Sequence, residues 1–299
     1  MAEISAKLVK DLREATGCGM MDCKKALSET NGDFDKAVEF LREKGLATAQ
    51  KKAGRIASEG LVDILVDGNI GAMVEVNSET DFVAKNAEFQ EFVKNIARQV
   101  IATNPADVEA LLASKFIDNE SVTIQDMLTE KIAKIGENMN IRRFARYEGG
   151  VIGYVHAAGR IGVMVSIEGD VSNADVAEAA KDAAMQIAAL NPLHLSKDTV
   201  PADVVEKEKG FITAQLKEDP KNANKPEQIL AKIVDGRINK YFEQNCLLQQ
   251  AFVKDDSVTV EKYLSSKGVK LLDYVRFEKG EGLEKKVDDF AAEVASMAK

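Results

Sequence analysis

The chain opens on apolar positions at helical spacing. Ile4, Leu8, Leu12 and Ala15 share one helical face, and Gly17 followed by Gly19 ends it. Met20 to Thr30 predicts a second helix carrying Met20, Met21, Ala26 and Leu27. Asn31-Gly32 then turns the chain, and Asp33 is a good N-cap for a third helix with Phe34, Ala37, Val38 and Leu41 inward. A unit this small has a thin core, so residues 1–54 are expected to form a three-helix module that also docks on a partner or a neighbouring domain. The polar stretch "ATAQKKAGRIASEG" after Gly45 reads as a helical or loose linker.

The pattern then switches to strands and repeats itself. Glu59-Gly60 followed by "LVDILVDGNIGAMVEV" is similar to Glu148-Gly149 followed by "GVIGYVHAAGRIGVMVSI". Each copy predicts strand, tight turn, strand, with Asp67-Gly68-Asn69 as the first turn. A helical stretch follows in both, ending at Asn104-Pro105 and Asn191-Pro192. The expectation is an α+β fold whose duplicated core consists of small antiparallel sheets packed by helices. One core subdomain spans 55–147; the second spans 148–200 and resumes over 246–278 with the strand "KLLDYVRFEKGEG". Between the copies, a helix with Ile132 and Ile135 ends at Gly136, and "GENMNIRR" reads as a shaped connection into the next strand. Arg142 and Arg143 there are expected to form salt bridges at the sheet edge. The interruption at 201–245 predicts two helices: Pro201 opens one with Val204, Val205, Phe211, Ile212 and Leu216, and Glu227 to Phe242 forms the other. They make an inserted antiparallel helical hairpin, which either packs on itself and the core or pairs with a second copy. Residues 279–299 are expected to supply a C-terminal helix, with Phe290, Val294 and Met297 on one face.

The two copies differ in length at one place. Val76 aligns with Ile167, 91 positions on, whereas Asn104 aligns with Asn191, 87 positions on. The first copy is therefore four residues longer between strand end and helix end, where "SETDFVAKN" stands against "EGDVSNAD". Phe82 lies seven residues before Phe89, so in a continuous helix both would face inward, with Thr80 or Asp81 merely capping. Yet the second copy closes the same fold without this segment, which favours an exposed Phe82 with a role outside the core.

Composition narrows the function. The chain has 299 residues, 45% of them apolar, enough for one large domain or several small ones. A net charge of −9 argues against a nucleic-acid partner, which would call for a basic face; "QKKAGR" is the one short basic cluster. Three cysteines (Cys18, Cys23 and Cys246) do not make a disulfide framework, and no histidine stands near the first two to complete a metal site. The N-terminus lacks the apolar core of a signal peptide, and no stretch is long and apolar enough to cross a bilayer, so a cytoplasmic protein is expected, with no membrane partner. No phosphate-cradling glycine loop, dinucleotide fingerprint or Gly-x-Ser-x-Gly elbow is present. His156 and His194 are the two histidines, and neither cysteine has an evident base. The expectation is a binding protein rather than an enzyme, without cofactor or metal.

Two stretches give that expectation a direction. "LREATGCGMMDCKKAL" (12–27) and "EVNSETDFVAK" (75–85) resemble the two signature segments of the bacterial elongation factor Ts family, and the resemblance runs the full length of the chain. The first three helices also resemble a ubiquitin-associated-type module. The family resemblance implies a guanine-nucleotide exchange factor for elongation factor Tu. It implies that Thr80, Asp81, Phe82 and Val83 enter the G domain of that partner, dislodge its Mg²⁺ and so release GDP, the chain staying bound until GTP arrives. It further implies partner contacts at Met21, Lys24, Ile135, Gly136 and His156, and self-association through the hairpin as a second possibility. The reading from another class is a protein-binding adaptor or chaperone-like scaffold without exchange activity.

Overall fold

The computed structural model describes residues 4–219, 221 and 225–285. Three helices come first, α1 (Ala6–Thr16), α2 (Met20–Glu29) and α3 (Phe34–Lys52). Ser5 and Asp33 cap α1 and α3 through their side chains, and Gly17 ends α1 in the left-handed conformation. Their core holds Val9, Leu12, Cys23, Ala26, Leu27, Ala37 and Leu41. Met20 and Met21 are not part of it: they occupy the first turn of α2 with their side chains exposed. The polar linker is helical as far as Lys52, because α3 continues past Gly45 and lays that residue against Ala133 and Thr129.

The duplicated core follows. Its first copy contains β1 (Glu59–Asp67), β2 (Ile70–Ser78), α4 (Asp81–Ala84), α5 (Ala87–Thr103), α6 (Val108–Ala113), β3 (Lys115–Phe116), β4 (Asn119–Thr123), α7 (Ile124–Ile135) and β5 (Met139–Glu148). The second contains β6 (Gly150–His156), β7 (Ile161–Glu168), α8 (Ala174–Leu190), α9 (Ala202–Glu218), α10 (Glu227–Asn245), β8 (Ala251–Phe252), β9 (Asp255–Thr259), α11 (Val260–Ser266) and β10 (Lys270–Glu278). Each copy builds an antiparallel three-stranded sheet, in the orders β1-β2-β5 and β10-β7-β6. Helix α5 covers the outer face of the first sheet by packing Phe89, Phe92, Val93 and Ile96 on Ala72, Val74 and Val76. Helix α8 covers the second by packing Ala180, Ala184 and Ile187 against Val163, Val165 and Ile167.

The inner faces of the two sheets meet around Val62, Met73, Val151, Met164 and Phe277. Both sides of each central strand are thus removed from water, which is why β2 and β7 read as nearly unbroken apolar runs. The sheets come close at glycines: a Cβ on Gly71 would stand 2.6 Å from Val151 Cγ1, and one on Gly162 would stand 2.5 Å from Val62 Cγ1.

Helices α9 and α10 form the expected hairpin, with Pro201 and Pro226 at their N-caps. Their apolar stripes face each other through Ile212, Leu216 and Ile238, with Ile233, Val234 and Phe242 alongside, leaving Phe211 and Ile229 exposed. The C-terminal helix expected from Leu283 to Met297, within the module 279–299, falls almost wholly outside the described residues. Residues 279–283 form turns and a bend, and residues 286–299, with Phe290, Val294 and Met297, are not described.

Candidate partner-binding site

The four additional residues of the first copy appear as a separate element. β2 ends at Ser78 and pairs there with Met139, the first residue of β5. The chain then makes one turn of helix, α4, before Asn86 starts α5 afresh by accepting the Glu88 N–H at 2.8 Å. Because the two helices are not continuous, Phe82 and Phe89 do not share a face. Phe89 is fully buried, while Phe82 is 79% exposed.

Val83 points the other way, into the core with Phe89 and Val76. Of the four residues expected to enter a partner, it serves as the anchor of the segment. Thr80 occupies the N-cap position of α4 but makes no side-chain cap, because its hydroxyl donates to Glu137 Oε1 at 2.6 Å. Asp81 accepts a hydrogen bond from Lys85 Nζ at 2.6 Å, and the Lys85 ammonium lies 5.9 Å from the centre of the Phe82 ring. That bond to Lys85, helped by the positive charge of Lys279, holds the Asp81 carboxyl below the usual carboxylate range.

The turn after α7 reaches this segment directly. Gly136 ends α7 with φ +84°, a conformation that reverses the chain at low cost for glycine. The reversal places Glu137 under the strand end, where its Oε2 accepts from the Glu79 N–H (3.1 Å) and the Thr80 N–H (3.0 Å). Glu79 Oε1 in turn accepts from the Asn138 N–H at 2.6 Å and from Arg55 at 3.4 Å. Asn138 Nδ2 donates to the Arg55 carbonyl at 2.8 Å. Two expected contact segments, Thr80–Val83 and Ile135-Gly136, are therefore joined by the Glu137 carboxylate. Ile135 itself is half-buried against the core.

A second cluster braces the sheet beneath. Arg142 and Arg143 do form salt bridges from the edge strand β5, but their target is Glu75, fully buried on the central strand, at 3.0 and 2.6 Å. Glu75 also accepts the Gly280 N–H at 2.8 Å and Asn77 Nδ2 at 3.1 Å. Burial pushes this carboxyl up, but the Gly280 N–H and the Arg143 guanidinium outweigh it and hold the group below its ordinary value. The turn carrying Lys279 and Gly280 is thereby fixed beside the start of β1, where Lys279 also pairs with Glu59.

The remaining expected contacts sit on other elements. Met21 (74% exposed) and Lys24 lie on the outer surface of α2. His156 ends β6, exposed, with Nδ1 2.9 Å from the Tyr154 hydroxyl. Glu79, Glu137 and Asn138 were not singled out by the sequence. The signal available for them was positional: "SET" and "GEN" flank two strand ends that an antiparallel β2-β5 pairing brings together.

Among the described residues, no group of three or more acidic, histidine or cysteine side chains could hold a metal, and no helix is long and apolar enough to cross a membrane.

A family model described as "Elongation factor TS" matches residues 79–281. Elongation factor Ts from Clostridium kluyveri (strain ATCC 8527) is 51% identical, the alignment covering 97% of each chain. Elongation factor Ts from Clostridium botulinum (strain ATCC 19397 / Type A) is 49% identical, again over 97% of each chain.

Proposed function

The chain belongs to the elongation factor Ts family, and from that membership we propose that it is a guanine-nucleotide exchange factor for elongation factor Tu. It is an elongation factor of protein biosynthesis, acting in the cytoplasm by binding rather than by catalysing a chemical reaction. A G protein holds GDP through backbone contacts to its phosphates and a bridging Mg²⁺. An exchange factor needs only to bind the nucleotide-free state better than the GDP state. Its own tight binding and the weakened binding of GDP are then one coupling free energy seen from two sides.

The observation that carries this reading is Phe82. A large apolar ring stands in water on a four-residue helix that only one of the two copies contains, held from behind by Val83 and Glu137. In the proposed mechanism the ring enters between helices of the partner's G domain and displaces the groups that position Mg²⁺. The ion leaves, the phosphate loop loosens, and GDP follows. Asp81, charged and at the surface, accompanies the ring. Met21 and Lys24 on the N-terminal module, the Ile135-Gly136 turn and His156 on the second copy supply docking contacts outside the wedge. The division into a module (1–54), two core subdomains and an inserted hairpin (201–245) belongs to the same proposal. Self-association through the hairpin has as its support the exposed Phe211 and Ile229.

Stopped-flow release of a fluorescent GDP from isolated elongation factor Tu tests the reading. Added chain should accelerate release at substoichiometric amounts, with no nucleotide hydrolysed by the chain. Binding without acceleration would instead mark an adaptor.

A further inference from the structure

We infer that Glu137 is a positioning residue for the proposed exchange: its carboxylate clamps the strand end at Glu79 and Thr80 and so sets the direction in which Phe82 is presented. The inference rests on the exchange reading for its kinetic consequence, but not for the clamp itself. One turn of helix cannot hold its own shape in water, since nucleating a turn fixes several dihedrals for a single hydrogen bond. Phe82 contributes little to fixing α4, being 79% exposed, and Val83 supplies one apolar anchor. The rest is polar: Ser78 Oγ donates to the Thr80 carbonyl at 3.0 Å and Gln90 Nε2 to the Ala84 carbonyl at 3.2 Å, while Glu137 alone takes three bonds, from the Glu79 N–H (3.1 Å), the Thr80 N–H (3.0 Å) and the Thr80 hydroxyl (2.6 Å).

Bonds to an ionised acceptor are about twice as strong as neutral ones. They are returned by Glu79, which accepts from Asn138 and Arg55. Each carboxylate thus holds the backbone of the other's segment. The second copy has no counterpart: Lys267-Gly268-Val269 follows α11, and Gly169-Asp170 follows β7. The clamp occurs only where the protruding segment occurs.

A segment that samples many directions presents Phe82 correctly for only a fraction of the time, and insertion is weakened by that fraction. Three variants separate positioning from stability. Glu137→Ala removes all three bonds. Glu137→Gln keeps one acceptor oxygen for the two N–H groups, and its amide can donate to the Thr80 hydroxyl, which accepts as well as donates. Glu79→Ala cuts the reciprocal bonds from Asn138 and Arg55. The chain contains no tryptophan, so Phe82→Trp places a single indole at the tip as a reporter that needs no partner.

In that background Glu137→Ala should lower the anisotropy of the indole, Glu79→Ala should do so partially, and Glu137→Gln should restore most of it. The amides of Glu79 and Thr80 should exchange with deuterium at least about tenfold faster in Glu137→Ala while those of α5 do not change. With Phe82 in place, GDP release at saturating exchanger should slow about tenfold for Glu137→Ala and less than about twofold for Glu137→Gln, with both variants still melting cooperatively. Unchanged anisotropy and amide exchange would remove the clamp, whatever the partner does. A loosened segment with undiminished release would leave a clamp that positions nothing for exchange, and the inference would fall. A wild-type chain that fails to release GDP would instead defeat the exchange reading, and the indole and amide measurements would still decide the clamp. If Glu137→Ala unfolds the core, the comparison is made between Glu137→Gln and Glu79→Ala, with the same outcomes.

Discussion

Truncating Phe82 to alanine should cost the free protein little and the exchange reaction much. An aromatic side chain taken fully out of water buries about 150–250 Å². With Phe82 79% exposed, only about a fifth of that is covered, roughly 30–50 Å², or about 1 kcal/mol at ~25 cal/mol/Å². Loss of the Lys85 contact adds roughly 0.5 kcal/mol, and the better helix propensity of alanine returns a similar amount. The net cost is therefore about 1 kcal/mol or less. Phe89→Ala, seven residues on and fully buried, is the control, with an expected loss of about 3–5 kcal/mol. The exposed part of the Phe82 ring, roughly 120–200 Å², is worth up to about 3–5 kcal/mol if a partner covers it. Should even a third of that be realised only in the state that expels GDP, release slows about five- to fifteenfold, since each 1.4 kcal/mol is a factor of ten. Urea melts of the free variants and GDP release at saturating exchanger are the two assays. A loss of 3 kcal/mol or more in Phe82→Ala, accompanied by unchanged release, would return the ring to the core and refute the wedge.

Three further outcomes follow from other parts of the molecule. Gly45→Ala should stabilise the docking of α3 on α7 by about 0.4–1 kcal/mol, because the added Cβ would meet Ala133 Cβ at 3.6 Å and Thr129 Cγ2 at 3.9 Å, ordinary contact distances; a lower melting temperature would show that the helices cannot accept it. Glu75→Gln should cost roughly 1–3 kcal/mol at neutral pH by removing the buried charge that the half-buried Arg142 and Arg143 share, and it should also flatten the acid side of the stability profile. The native pKa of Glu75 lies below its ordinary 4.5, so its contribution is complete above that value and lost as pH falls through the native one; melts from pH 7 to pH 3 should bring wild type and variant together, and parallel curves would contradict the assignment. Deleting the hairpin from Ala202 to Gln244, with a short Gly-Ser closure, should leave the core folded, because His194 and Cys246 already bridge its two ends; a large loss of exchange in a folded deletion would place the hairpin on the partner.

Much of the architecture was legible because it is written twice. The repeated strand–turn–strand pattern predicts two equivalent sheets, and the caps repeat with it: Asn86 and Asn173 start α5 and α8, while Asn104 and Asn191 end them in the left-handed conformation. A further, shorter repeat lies in the same two copies. "FIDNESVTI" (116–124) and "FVKDDSVTV" (252–260) form equivalent short hairpins. Each is held by a buried glutamine from the long helix, through Gln99 to Lys115 and Ile117, and through Gln186 to Ala251 and Val253. A glutamine on a helix carries no periodic signal of its own, so only pairing the two copies reveals it. The destination of Arg142 and Arg143 was hidden for a different reason. Their partner Glu75 sits in the middle of an apolar run, where local pattern offers no reason to expect a carboxylate with two guanidinium groups and a backbone N–H from residue 280 around it.

That duplication also explains why Phe82 is outside. Had the four additional residues of the first copy extended α5 backward, Phe82 would have joined Phe89 on the inner face. They could do so only by dispensing with the Asn86 cap. α5 and α8 are equally long, 17 residues each, with the same asparagine at each end and the same glutamine clamp in the same place. β2 is equally constrained, since its pairing with β5 runs to Ser78 and Met139. With strand and helix both fixed, the added residues have no room in either. They emerge as a turn of helix across the gap, with one residue, Val83, able to reach the core. The neighbouring Phe82, about 100° further round that turn, is directed at solvent by the same geometry. A partner surface that accepts the ring would supply the burial that this chain's own core cannot.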